Sequence, residues 1–147
     1  MNAQIGILRS EIADLPNAAL ANRTDDGWSV NDIVGHMCDA SHIVHKRVDM
    51  MIKLEEPQLH GYDPDALAQA RNANAARLED LLSEYAAQRA ATVAMLADLV
   101  HWNWARPGRH PKLGRISIRQ QVELWLEHED EHLAQIRSLK DAAAVAH

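Results

Sequence analysis

Apolar side chains recur every three or four residues along nearly all of this chain, and no stretch alternates apolar and polar residues convincingly. That spacing restricts the chain to helices that each bury one stripe. Ile5, Leu8, Ile12 and Leu15 mark the first stripe. Pro16 stops that helix or opens a short further turn, and residues 22–27 read as a polar connection. Ser29 is a good N-cap for the second helix. Asp32, three residues on, completes a capping-box variant with a carboxylate in place of the usual Glu or Gln. Trp28 is placed to pack on Ile33 as a hydrophobic staple, and the stripe continues through Met37, Ala40, Val44, Val48 and Met51 toward Glu56 and Pro57.

Asp63 and Pro64 open a third helix, with Asp as cap and Pro at the first helical position. Its pattern from Leu67 through Leu78, Leu81, Leu82, Tyr85, Val93 and Leu96 predicts one long helix running to about Asp98. Residues 99–116 hold Trp102, Trp104, Pro107, Gly108, Pro111 and Gly114 and read as irregular. Loops of that length often carry function. Ser117 with Gln120 caps the last helix, whose inward stripe reads Val122, Trp125, His128 or Glu129, His132, Ile136 and Leu139. The tail from Ala142 is expected to fray. The expected fold class is all-α: a four-helix bundle, with room for a short extra helix near residues 16–21, in a single domain over 1–147.

Bulk properties exclude several function classes. The net charge is −6, which argues against a nucleic-acid groove or an anionic membrane surface as the main partner. No apolar run approaches the roughly 18 residues of a membrane span. Cys38 is the one cysteine, so no intramolecular disulfide forms. The segment from Met1 to Gly6 lacks the basic and apolar regions of a signal peptide, and the expected compartment is the cytoplasm. With no Phe, the bulky core fillers are Trp28, Trp102, Trp104 and Trp125.

Nine histidines are many for 147 residues. His128 and His132 lie four apart, so on a helix they project from one face, their Cβ atoms roughly 5–6 Å apart. His36 falls beside the apolar stripe of the second helix. In an antiparallel bundle, residues at one depth on different helices converge. Three neutral imidazoles with open positions would make a catalytic-type site for a divalent ion. Core or boundary histidines paired with carboxylates are the competing explanation. The stretch His128-Glu129-Asp130-Glu131-His132 also spells H-E-x-x-H, the zincin motif. The protease reading is set aside: 15 residues follow His132, with Asp141 and His147 but no glutamate as third ligand, and no strand is expected to pair with a peptide. Glu129 is a candidate base or a support for a ligand.

Taken together, three stretches resemble the DinB/YfiT-like superfamily of four-helix-bundle metalloenzymes. They are Trp28-Ser29-Val30-Asn31-Asp32-Ile33-Val34-Gly35-His36, Trp104 to Pro111 with Gly114, and His128-x-x-x-His132-Leu133-Ala134-Gln135-Ile136. The resemblance implies a divalent metal, zinc or nickel, held by His36, His128 and His132, and a homodimer. It also implies an enzyme acting on a small molecule, foremost a transferase that uses a low-molecular-weight thiol as co-substrate. A hydrolase using metal-bound water keeps the same site, and a non-catalytic bundle for dimerisation or partner binding is the third reading. Arg106, Arg109 and His110 are candidates for binding a substrate carboxylate, against solvated loop charges as the plainer explanation. Cys38, nearly opposite His36 on its helix, is read as packing, and His42, His45, His60 and His101 as surface or boundary residues.

Overall fold

The structure is a computed structural model and describes residues 3–145 apart from 14, 16–19 and 22–26; side chains are described for residues 5–142 of that set. The elements are α1 (Ala3–Ile12), α2 (Val30–Lys53), α3 (Pro64–Arg71), a 3₁₀ turn (Ala73–Ala75), α4 (Leu78–Ala97), a second 3₁₀ turn (His101–Ala105), strands β1 (Pro107–His110) and β2 (Gly114–Ser117), and α5 (Ile118–Val145). Of the expected short helix at residues 16–21, residues 16–19 lie outside the described residues. α1, α2, α4 and α5 form the four-helix bundle, with α2 packed on both α4 and α5.

The start of α2 follows from its cap. Ser29 Oγ accepts from Asp32 N at 3.1 Å, and Ser29 N donates back to Asp32 Oδ2 at 3.0 Å. Such caps are worth about 1 kcal/mol each. Both side chains are buried, and a 2.6 Å contact from Ser29 Oγ to Asn74 Oδ1 ties the same point to the first 3₁₀ turn. The second expected box is also present. Gln120 N donates to Ser117 Oγ at 3.1 Å, and Ser117 N to Gln120 Oε1 at 2.9 Å.

The single long third helix is corrected to two helices around a break. Asn72 is left-handed (φ 51, ψ 58) and ends α3. Asn tolerates that conformation better than most residues. The reason for the break lies across the interface: Ala73 is buried against Gly35 of α2, where a Cβ would come within 2.8 Å of Ala73 Cβ. The chain turns here because the absent side chain of Gly35 leaves a seat for it.

The irregular stretch is corrected too, since it contains a hairpin. β1 and β2 pair antiparallel, with Gly108 opposite Ile116 and His110 opposite Gly114. Gly114 has φ +75, which a side chain rarely adopts, and closes the turn. His110 Nδ1 accepts from both Lys112 N and Leu113 N at 3.1 Å. The other edge of β1 is filled by the segment after α2, through Leu59 N to Arg109 O and Arg109 N to Pro57 O, both 2.8 Å. One leg of the case against peptide hydrolysis, the lack of any strand, therefore falls. The paired edges of β1 nonetheless leave it no room for an extended substrate.

Two apolar clusters fill the bundle. One joins α1 to the N-terminal half of α2, the start of α4 and the C-terminal half of α5, through Leu8, Ile33, Leu82, Tyr85 and Ile136. The other joins the C-terminal half of α2 to the hairpin and the start of α5, through Val48, Met51, Leu59, Ile116 and Trp125. Arg47 meets Gln121, whereas His36 meets His128, so α2 and α5 run antiparallel. The histidines sit between the two clusters.

Candidate metal centre

The structure brings His36, His128 and His132 together. His36 comes from the second turn of α2, whose start is fixed by the Ser29 cap, and the other two from successive turns of α5. His36 Nε2 lies 2.9 Å from His128 Nε2, and His132 Nε2 lies 2.9 Å from the same atom. All three candidate ligand atoms fall within 4.8 Å of one another. An ion about 2.0–2.1 Å from each of two nitrogens separates them by roughly 2.9 Å at a right angle and roughly 3.3 Å in a tetrahedron. The two 2.9 Å spacings about His128 suit one ion. His36 is buried and packs on the Trp28 ring at 5.0 Å between centroids, so the expected staple residue also walls the site.

The electrostatics favour neutral rings. Burial, then His132 and His128, push His36 down to about 3; burial and His132 push His128 down to about 4; burial lowers His132. Neutral imidazoles keep a lone pair for coordination. For His132 the tautomer follows from a neighbour, because its Nδ1 lies 2.9 Å from Gln135 Oε1, which can only accept. The proton is therefore on Nδ1 and the Nε2 lone pair faces the other two rings. Gln135 lies in the stretch that resembles the family, and its i+3 spacing from His132 is the sequence signal for this contact.

Glu129 is placed differently. It is buried, and Arg89 grips it with Nε to Oε2 at 2.8 Å and Nη2 to Oε1 at 2.9 Å, while Tyr85 Oη donates to Oε2. Burial works to raise its carboxyl toward about 8. The two-pronged guanidinium opposes that shift, and the pair stays ionised because separating it would strand two buried charges. Both oxygens are engaged, which leaves no free base. The inward position offered to His128 or Glu129 is filled by Glu129, with His128 and His132 half-buried beside it.

A cavity of about 440 Å³ opens beside His128. Its apolar wall includes Ile43, Val44, Leu124 and Trp125, and its polar lining includes Arg47, Gln121, His110 and Lys112. Of the three residues proposed for a substrate carboxylate, only His110 lines it. Arg106 instead donates to Met51 O (2.8 Å) and Leu54 O (3.0 Å), and Arg109 is exposed near Glu56 at 3.8 Å. Arg47 was missed, because a lone arginine amid a helical stripe reads as solvated; it is 8 % exposed. Cys38 is fully buried, its thiol donating to Leu81 O at 3.1 Å, and burial pushes it up to about 12, as packing requires. His42, His60 and His101 are exposed, and half-buried His45 bonds Thr92 at 2.9 Å.

Fold and site together define a class: a helical bundle whose facing helices present three convergent histidines beside a small cavity. The chain belongs to the DinB superfamily, whose family profile matches residues 3–136. It is 29 % identical over 134 residues to a protein of Oceanobacillus iheyensis named "Putative metal-dependent hydrolase", covering 90 % of this chain and 77 % of that one. It is 24 % identical over 116 residues to YfiT of Bacillus subtilis, which carries the same descriptive name, covering 78 % of this chain and 65 % of YfiT. The solved structure of YfiT, described as a probable metal-dependent hydrolase with an unusual four-helix bundle topology, superposes with a TM-score of 0.89 at 21 % identity. The superposition covers 97 % of this chain and 83 % of YfiT. Among the described residues, no helix is long and apolar enough to cross a membrane.

Proposed function

We propose that this protein is a divalent-metal-dependent enzyme, using zinc or nickel held by His36, His128 and His132, that transfers a low-molecular-weight thiol to a small molecule bound in the adjoining cavity. The observation that carries this reading is the convergence of three neutral imidazoles, two of them 2.9 Å from His128, next to that cavity. A bound divalent ion would supply a Lewis acid that acidifies a thiol or a water molecule. The chain's own residues do the rest. Gln135 holds the His132 tautomer, Trp28 and the apolar wall exclude water, and the cavity orients the second reactant.

Thiol chemistry is favoured over water chemistry by the lack of a base. No carboxylate lines the cavity among the described residues, and both Glu129 oxygens are engaged. A coordinated thiol would be deprotonated outright, whereas coordinated water keeps a pKa of about 7 and gains more from a base. Hydrolysis is the second reading, supported by the names given to both relatives. Glu129 then acts by supporting the helix that carries both histidines. A homodimer in the cytoplasm completes the proposal, the former open to light scattering.

Elemental analysis tests the metal: wild-type protein should carry close to one ion per chain, and His36→Ala and His128→Ala should carry none. Turnover of electrophilic small molecules with and without a bacterial thiol tests the reaction. A thiol-independent rate on an ester would decide for hydrolysis, and wild-type metal content in both variants would remove the site.

A further inference from the structure

Two arginines are buried among the described residues. Arg89 has its carboxylate in Glu129. Arg47, on α2, has none among the described residues. Its Nη2 donates to His60 O at 2.8 Å, its Nη1 makes a long 3.3 Å contact with Gln121 Oε1, and its Nε has no acceptor there. Among the described residues, the Tyr62 ring lies 5.9 Å from the guanidinium carbon and His110 feels the same positive charge, but neither is a counter-ion. A buried charge without a counter-ion is costly, and carbonyl and amide oxygens repay only part of that cost.

Arg47 lines the cavity, so the missing anion has somewhere to come from. Lys112 and the neutral His110 ring, whose Nδ1 accepts from the turn and whose proton is therefore on Nε2, line the same space. Not one of the lining residues is acidic, although the chain as a whole carries a net charge of −6. We propose that the cavity binds a small carboxylate with an apolar body, its carboxylate on Arg47 and its other end toward His128. The proposal names the substrate class of the site assigned above and depends on that reading only for which end reacts.

A carboxylate fits better than a phosphate. A planar guanidinium holds either anion in a two-pronged bond, so the wall decides: Ile43, Val44 and Leu124 suit hydrocarbon rather than a hydrated dianion. The helix N-terminus at the cavity, that of α3 at Pro64, is already satisfied by Asp63, whose Oδ1 accepts from Asp65 N and Ala66 N. The distance is also suited to a small molecule: Gln121 beside Arg47 and His128 at the reactive end are seven residues apart on α5, roughly 10 Å along the axis.

Hexanoate is the probe, with hexanol as its uncharged counterpart and Trp125 fluorescence or calorimetry as readout. Wild-type protein as purified, and again after dialysis against a chelator, is expected to bind hexanoate at least about tenfold more tightly than hexanol, a difference of about 1.4 kcal/mol. Arg47→Met should remove that preference, Arg47→Lys should keep part of it, and His36→Ala should keep all of it while losing the metal. Equal binding of hexanoate and hexanol by the wild type overturns the proposal without recourse to any variant. Binding that disappears on chelation places the carboxylate on the ion and overturns it while upholding the metal site. Inorganic phosphate displacing hexanoate at lower concentration than acetate does would overturn the carboxylate assignment.

Discussion

His132 and Gln135 stand three residues apart on α5, joined by a 2.9 Å hydrogen bond from imidazole Nδ1 to amide Oε1. That bond aims the free nitrogen of His132 at the rings of His36 and His128. Removing such a partner of a metal-ligating histidine typically costs 10–100-fold in affinity. Gln135→Leu should therefore weaken zinc binding by about that factor in a chelator competition, with secondary structure intact. Unchanged affinity would show that the ring is oriented by packing alone.

The buried Arg89–Glu129 pair gives a stability prediction that separates structure from chemistry. Breaking a buried pair by removing one partner leaves an uncompensated charge and costs about 3–5 kcal/mol. Arg89→Met and Glu129→Leu should each lower the urea midpoint strongly, and the double variant should recover most of the loss. A stable Glu129→Leu that had lost only turnover would instead restore the glutamate as a base.

The metal-free protein should lose stability as pH falls. His36 is held at about 3 and His128 at about 4 in the folded chain, against an ordinary value of 6.5 once unfolded. Between those values the unfolded chain binds more protons than the folded one, so stability rises with pH there and levels off above about 6.5. Thermal midpoints of chelated protein should drop from pH 6.5 toward pH 4, and His36→Asn should flatten that slope. A midpoint independent of pH in this window would mean the rings titrate freely.

Gly35 supplies a packing prediction. A Cβ there would meet Ala73 Cβ and Arg71 Cδ, each at 2.8 Å. Arg71 could swing aside only by leaving Asp39 and Glu84, each held at 2.7 Å, and Ala73 is buried in the turn. Gly35→Ala should cost about 1–3 kcal/mol in chemical denaturation, and adding Ala73→Gly should return part of it. A neutral Gly35→Ala would show that α2 and the turn can move apart freely.

The bundle could be read from the chain because its evidence is local. Ser29 with Asp32, Ser117 with Gln120 and Asp63 with Pro64 each announce a helix start within four residues. The histidines could be brought together because antiparallel helices align depths. What the sequence concealed depends on contacts between distant segments. The break at Asn72 sits in an alanine-rich run that favours helix, and only Gly35 explains it. The hairpin has four-residue strands, too short for alternation to register, and it draws pairing from the segment after α2. Arg47 looks like any charged residue until three dimensions show no acid beside it among the described residues, and Glu129 looks like a catalyst until Arg89 arrives from another helix.

The hairpin has one further consequence. Its base is clamped: Arg106 donates to the last carbonyls of α2, Ile118 N donates to Arg106 O, and Gly108 packs within reach of Met51 and Leu59. Its tip, from Pro111 to Leu113, is exposed and forms the rim of the cavity. Changes in length or chemistry at the tip can therefore alter what enters while the base keeps α2 and α5, and with them the three histidines, in register. Such a division puts what the cavity admits and what holds the histidines under the control of different residues.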